Sequence, residues 1–213
     1  MRVGTIRTII NTAFLHESKT QCLNRHLLKQ LTSLPSFIRL APEEGITTLN
    51  GFIREYIAQV PDFLEALKNA AEKAGIENHV FPFLKIAEEY FTLPPNLPSE
   101  HIGLMALMDE AYLAHRLFEE VNDRYISRVG MPLIPLDMTL ANVIVHQLIG
   151  EHLANQLDEA VHQAVEQLMP REQAYESDDF HQFVQDTRGN TQPIFQEWPC
   201  LSKKMGIEFA FAG

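Results

Sequence analysis

Ser99–Gly130, SEHIGLMALMDEAYLAHRLFEEVNDRYISRVG, is the stretch that decides how this chain is read. Its apolar residues recur at helical spacing, so it predicts one helix of about eight turns at 3.6 residues per turn. Ser99 is a favourable N-cap, Glu100 suits the first-turn dipole, and Gly130 ends the run. Leu104, Leu107, Met108, Phe118, Val121 and Tyr125 lie in one broad arc. His115 and Asn122 fall inside that arc, and Glu119 lies at its edge. A polar group on a core-facing stripe needs a partner, because burying it unpaired costs about 1–3 kcal/mol. The helix therefore carries a buried hydrogen-bond network or lines a site.

Working outward, the chain reads as helix after helix. Ile6, Ile9, Ile10, Ala13 and Phe14 suggest a helix over 5–15, and Leu23, Leu27, Leu28 and Leu31 a second over 18–32. Pro35 to Gly45 is a connector. Leu49, Phe52, Ile53, Tyr56 and Ile57 form an amphipathic stripe. Pro61 then opens a helix that Gly75 closes. Val80, Phe83, Leu84 and Ala87 begin another, and the prolines of Leu93–Pro98 end it. Beyond the long helix, Met131–Leu136 is an extended connector and Asp137–Ile149 an almost wholly apolar helix. Glu151–Met169 and 177–186 complete the helical set, with an irregular tail over 187–213. The tip Ile207–Phe211 alternates like a strand, but a lone strand needs a partner edge, so it is expected to tuck into a groove. The sequence thus predicts an all-α fold: a single domain, 1–213, of six to eight helices around a long central helix (about 99–129), with 1–39 as a basic N-terminal arm.

Composition excludes several classes. The chain has 213 residues, 46% hydrophobic and 21% charged, as in ordinary globular proteins. No apolar run approaches the length of a membrane span, and Asn11 and Thr12 interrupt any signal-like stretch. Cys22 and Cys200 lack CxxC pairing, which argues against a disulfide framework and fits a cytoplasmic protein. A net charge of −11 disfavours nucleic-acid and anionic-membrane partners. The exception is residues 1–39, where Arg2, Arg7, Lys19, Arg25, Lys29 and Arg39 face Glu17 alone. The plain reading is a basic segment docked on an acidic body.

Few residues carry a chemical signal. On the apolar helix 137–149, Thr139, Asn142 and His146 make a narrow polar stripe, expected to be the edge that meets solvent. Alternatively it meets the long helix across an antiparallel pair, where His115, Glu119, Asn142 and His146 would converge. A His/Glu/His cluster can bind a transition metal or supply an acid and a base. Di-iron chemistry needs inward Glu-x-x-His motifs, but Glu159 and His162 lie opposite the apolar stripe of their helix. Phosphate loops, HExxH, GxSxG and zinc-type CxxC motifs are absent. Glu110, set among Leu113, Ala114 and Leu117, is expected to have a raised pKa and to pair with Arg54 or Arg128.

The leading expectation is a helical protein that binds a protein partner or a small apolar ligand and self-associates as a homodimer through the apolar helix 137–149 and the C-terminal tip. Its site lies beside the long helix, where Tyr112, Phe118 and Tyr125 join His115, Glu119, Asn122, Asn142 and His146. No cofactor or metal is assigned. One alternative is a metal-dependent helical-bundle enzyme using His115, Glu119 and His146. A second is a helical regulator with a basic arm, though 1–39 lacks a helix-turn-helix pattern.

Overall fold

The computed structural model of the chain describes residues 1–41, 43–92, 103–168, 178–188 and 200–210. These residues form an all-α bundle: α1 (Val3–Thr20), α2 (Cys22–Gln30), α3 (Gly45–Ala58), α4 (Val60–Ala74), α5 (Glu77–Thr92), α6 (Leu104–Val129), α7 (Thr139–Ile149), α8 (Glu151–Leu168), α9 (Asp178–Arg188) and the single turn α10 (Leu201–Lys204). A two-residue strand β1 (Ile38–Arg39) pairs antiparallel with β2 (Glu208–Phe209). One hydrophobic core runs through the described residues, from Val3 to Ile207.

The long helix is central, as its sequence implies. Helices α1 to α5, α7 and α8 all pack on α6. Between Leu104 and Phe118 nearly every α6 residue is buried, so this half has no solvent face. Its start differs from the expectation. Gly103 stands at the N-cap with φ 63° and ψ −126°, a conformation open to glycine and strained for other residues, so the described helix begins at Leu104. A Cβ at Gly103 would also sit 3.1 Å from the His16 ring of α1. The expected cap at Ser99, and the proline-rich segment before it, lie outside the described residues.

The other breaks follow from chain chemistry. Pro61 has no N–H, and the helical ladder resumes when the Phe63 amide reaches the Gln59 carbonyl. Gly75 and Gly130 close α4 and α6 as expected. Helix α1 runs about two turns longer than its apolar periodicity suggests and ends at Gln21, which takes a left-handed conformation (φ 54°) to form an elbow into α2. Glu17 holds that elbow. Its backbone carbonyl accepts the Gln21 amide, and its buried carboxylate accepts the Leu23 and Asn24 amides at 3.0 and 3.2 Å, capping α2.

The basic segment is docked, matching the plain reading of its charge. Arg7 donates to Asp62 and Glu65 of α4, and the Arg2 amide donates to Glu88 of α5. The C-terminal tip, by contrast, finds an edge. Ile38 pairs with Phe209 and Arg39 with Glu208, and the Ala210 amide adds a bond to the Phe37 carbonyl. The tail also contains α10, packed on α3 and α7 and tied by Lys204 to Glu55 at 2.6 Å. Helix α7 is covered by α6, α8 and α10 of its own chain. Both features that suggested a homodimer therefore find their partners within the molecule. Trp198, Pro199 and Phe211 lie outside the described residues.

No described helix is long and apolar enough to cross a membrane.

Candidate functional site

The polar residues of α6 and α7 face one another, and a continuous chain of hydrogen bonds joins them. It starts in the core at Tyr56 of α3, fully buried, whose hydroxyl donates to Asn142 Oδ1 of α7. Asn142 Nδ2 donates to Glu119 Oε2 of α6 at 2.7 Å, and Arg116 Nη1 donates to the same oxygen at 2.8 Å. Arg116 Nε then reaches Asp158 Oδ1 of α8 at 3.0 Å, and the Tyr112 hydroxyl donates to that carboxylate. His146 closes the outer end, with Nε2 at 3.9 Å from Asp158 Oδ2 and its ring edge-on to Tyr112. The network runs from the middle of the bundle to its surface along the α6, α7 and α8 seam.

Its electrostatics follow from depth. Burial pushes the Glu119 carboxyl up, while Arg116 and Asn142 oppose the shift by binding the ionised form. Burial also works against the Arg116 cation, but Asp158 and Glu119 outweigh it and hold its pKa above the ordinary value. The Tyr56 and Tyr112 hydroxyls are both pushed up by burial and by nearby carboxylates, so each remains a donor. Every member fixes another.

The structure therefore brings together Tyr112, Glu119, Asn142 and His146 from the expected set, and Asn142 points into the bundle rather than to solvent. Thr139 alone keeps the exposed position expected of that stripe. Asn122 belongs elsewhere. Its Oδ1 accepts the Leu133 and Ile134 amides at 2.8 and 3.2 Å, and its Nδ2 donates to the Ile134 carbonyl at 3.1 Å. It clamps the connector between α6 and α7. Three members were missed: Tyr56, Arg116 and Asp158. Arg116 stands three residues before Glu119, a pair legible as an i,i+3 contact. Asp158 and Tyr56 carried no such sign.

His115 stands apart. It is fully buried, and its Nε2–H donates to the Tyr56 carbonyl at 2.8 Å. The rings of Tyr56, Phe63 and Phe118 surround it at 4.3, 5.5 and 5.8 Å. Nδ1 has no hydrogen-bond partner. Burial in this aromatic cage lowers the pKa to about 4, against the opposing pull of the Tyr56 carbonyl, so the ring is neutral. Among the described residues no three His, Cys, Asp or Glu side chains are placed to hold a metal ion. Glu159 and His162 are exposed, as their facing predicts.

Glu110 is buried at 3% exposure, and its pKa rises to about 8 through burial first and the adjacent Asp109 charge second. The expected pairing with Arg54 or Arg128 is not formed. Arg54 stacks on Phe14, and Glu110 Oε2 has no hydrogen-bond partner.

A groove does lie beside the long helix, at its N-terminal end rather than near Tyr112. Ile9, Thr12, Ala13 and His16 of α1 face Ala106 and Leu107 of α6 across about 570 Å³ of largely apolar space. Comparison with protein families, with characterised proteins and with solved structures finds no match to this chain.

Proposed function

We propose that this protein acts by binding, and that the groove between α1 and the first turns of α6 takes a small apolar ligand. The observation that carries this reading is the groove itself. Its volume of about 570 Å³ lies within the usual range for small-molecule sites, about 300–1,000 Å³. Ile9, Ala13, Ala106 and Leu107 give it apolar walls, while Thr8, Thr12 and His16 supply the few polar atoms that orient a ligand. Catalysis at the polar seam has less support. The groups of that seam are committed to one another, and a general acid or base needs a free face toward a substrate. Metal-dependent chemistry through His115, Glu119 and His146 is disfavoured because the three side chains serve separate partners. The docked Arg2 and Arg7 weaken the regulator reading in the same way.

The test uses the fluorescent apolar probe N-phenyl-1-naphthylamine. Saturable binding at micromolar concentration, lost in Ala106→Phe and in Ala13→Phe with unchanged circular dichroism, supports the groove. Absence of saturation, or binding indifferent to both substitutions, rejects it.

A further inference from the structure

On the opposite side of α1, a second pocket of about 380 Å³ is lined mostly by polar residues. The α1–α2 elbow supplies Glu17, Ser18 and Gln21, α2 supplies Asn24, and α3 supplies Thr47, Asn50 and Arg54. Arg54 is the unusual member. It is part-buried, and its guanidinium lies 4.6 Å above the Phe14 ring, which fixes it in place. Among the described residues it forms no ion pair, and its buried Nη1 has no hydrogen-bond partner. Other arginines of the bundle behave differently: Arg7 holds Asp62 and Glu65, Arg116 holds Glu119 and Asp158, and Arg124 holds Glu120. In a chain of net charge −11, carboxylates are plentiful, yet among the described residues none is paired with this cation.

We infer that this pocket is a binding site for a small organic monocarboxylate, whose carboxylate pairs with Arg54 while the amides of Asn24 and Asn50 bind its polar remainder. A guanidinium offers a planar fork of donors that matches a carboxylate, and stacking on an aromatic ring preorganises it. Amide side chains both donate and accept, which suits a neutral polar group beside the charge. Glu17 sets the limit on charge. Its carboxylate stands on the same wall, already engaged by the Leu23 and Asn24 amides, and its negative field opposes a dianion such as phosphate. The site is separate from the apolar groove, which shares no lining residue with it.

The probes are N-acetylglycine, acetate, succinate and inorganic phosphate, titrated against the full chain while the Arg54 Nε–Hε resonance is followed by NMR. N-acetylglycine is expected to saturate the shift below about 1 mM, with phosphate and succinate at least about tenfold weaker. Arg54→Met, which keeps an unbranched chain over Phe14 and is titrated by following the Asn24 and Asn50 side-chain amide resonances instead, is expected to abolish binding of N-acetylglycine. If that variant does not fold, Asn50→Ala replaces it, read through the Arg54 signal, with an expected loss of about threefold or more. Phosphate binding as tightly as N-acetylglycine, absence of saturation by either monocarboxylate below about 10 mM, or undiminished affinity in the folded variant would overturn the assignment.

Discussion

Asn142 of α7 bridges the Tyr56 hydroxyl and the Glu119 carboxylate, so one amide side chain ties α3 to α6 through α7. Glu119→Ala removes the acceptor for both Asn142 and Arg116. A loss of about 2 kcal/mol is expected in urea unfolding, the usual scale for stranding a partly buried donor. A double-mutant cycle with Asn142→Ala should return a coupling energy of about 0.5 kcal/mol or more. Simple additivity would mean that the bond contributes nothing.

Asn122 holds the α6–α7 connector by three hydrogen bonds, and Asn122→Leu strands two amides and a carbonyl. The expected cost is about 2–4 kcal/mol. Asn122→Asp keeps the acceptor for both amides, but it sets a second carboxylate oxygen against the Ile134 carbonyl, so it too should lower stability. Hydrogen exchange at Leu133 and Ile134 reads the difference directly: fast in the leucine variant, and still protected in the aspartate variant.

Two buried groups give stability opposite pH dependences. The Glu110 carboxyl is raised from 4.5 to about 8, so between those values the unfolded chain releases a proton that the folded chain keeps. Stability therefore falls as pH rises across that window, at up to about 1 kcal/mol per pH unit. The His115 ring is lowered from 6.5 to about 4, so below 6.5 the unfolded chain binds a proton that the folded one refuses, and stability falls with pH. The two effects cancel between 4.5 and 6.5. Glu110→Gln should flatten the limb above pH 6.5 and expose the His115 slope below it, while His115→Phe should extend the Glu110 slope down to about pH 4.5, measured as midpoint denaturant concentration against pH. A limb unchanged by its own substitution would refute the corresponding assignment.

At Gly103 the cost is backbone strain together with contact. Gly103→Ala places a Cβ in a disfavoured conformation and 3.1 Å from the His16 ring. A loss of about 1–3 kcal/mol is expected. Adding His16→Ala should recover the contact part alone, so the double variant is expected to remain less stable than the native chain. Full recovery would show that the backbone there is relaxed.

How far the sequence could be read depended on what each residue reveals alone. Pro61, Gly75 and Gly130 marked helix ends because their effect on the backbone is local. Gln21 gave no such sign, since a left-handed glutamine is stabilised by Glu17 reaching around the elbow. Gly103 was concealed by apolar neighbours in helical register on either side. The polar stripe of α6 was visible as a departure from periodicity, and it led to Glu119 and Asn142. Asp158 was not, because a carboxylate beside Leu157 on α8 looks solvated until α6 brings Tyr112 and Arg116 against it. The tip at 207–210 alternated as a strand should. Its partner at 38–39 was hidden in a segment too short to show any period.

That pairing constrains how the molecule is made. Ile38 leaves the ribosome about 170 residues before Phe209, the partner that will occupy its hydrogen-bonding edge. During synthesis the helices have time to collapse while β1 stays open, and only the emergence of the tail closes it. The ladder thus closes only after the helices between its strands have been made. A chain that stalls or is cut before residue 208 would carry an assembled bundle with that ladder missing, which an antibody against residues 35–41 could distinguish from the finished protein.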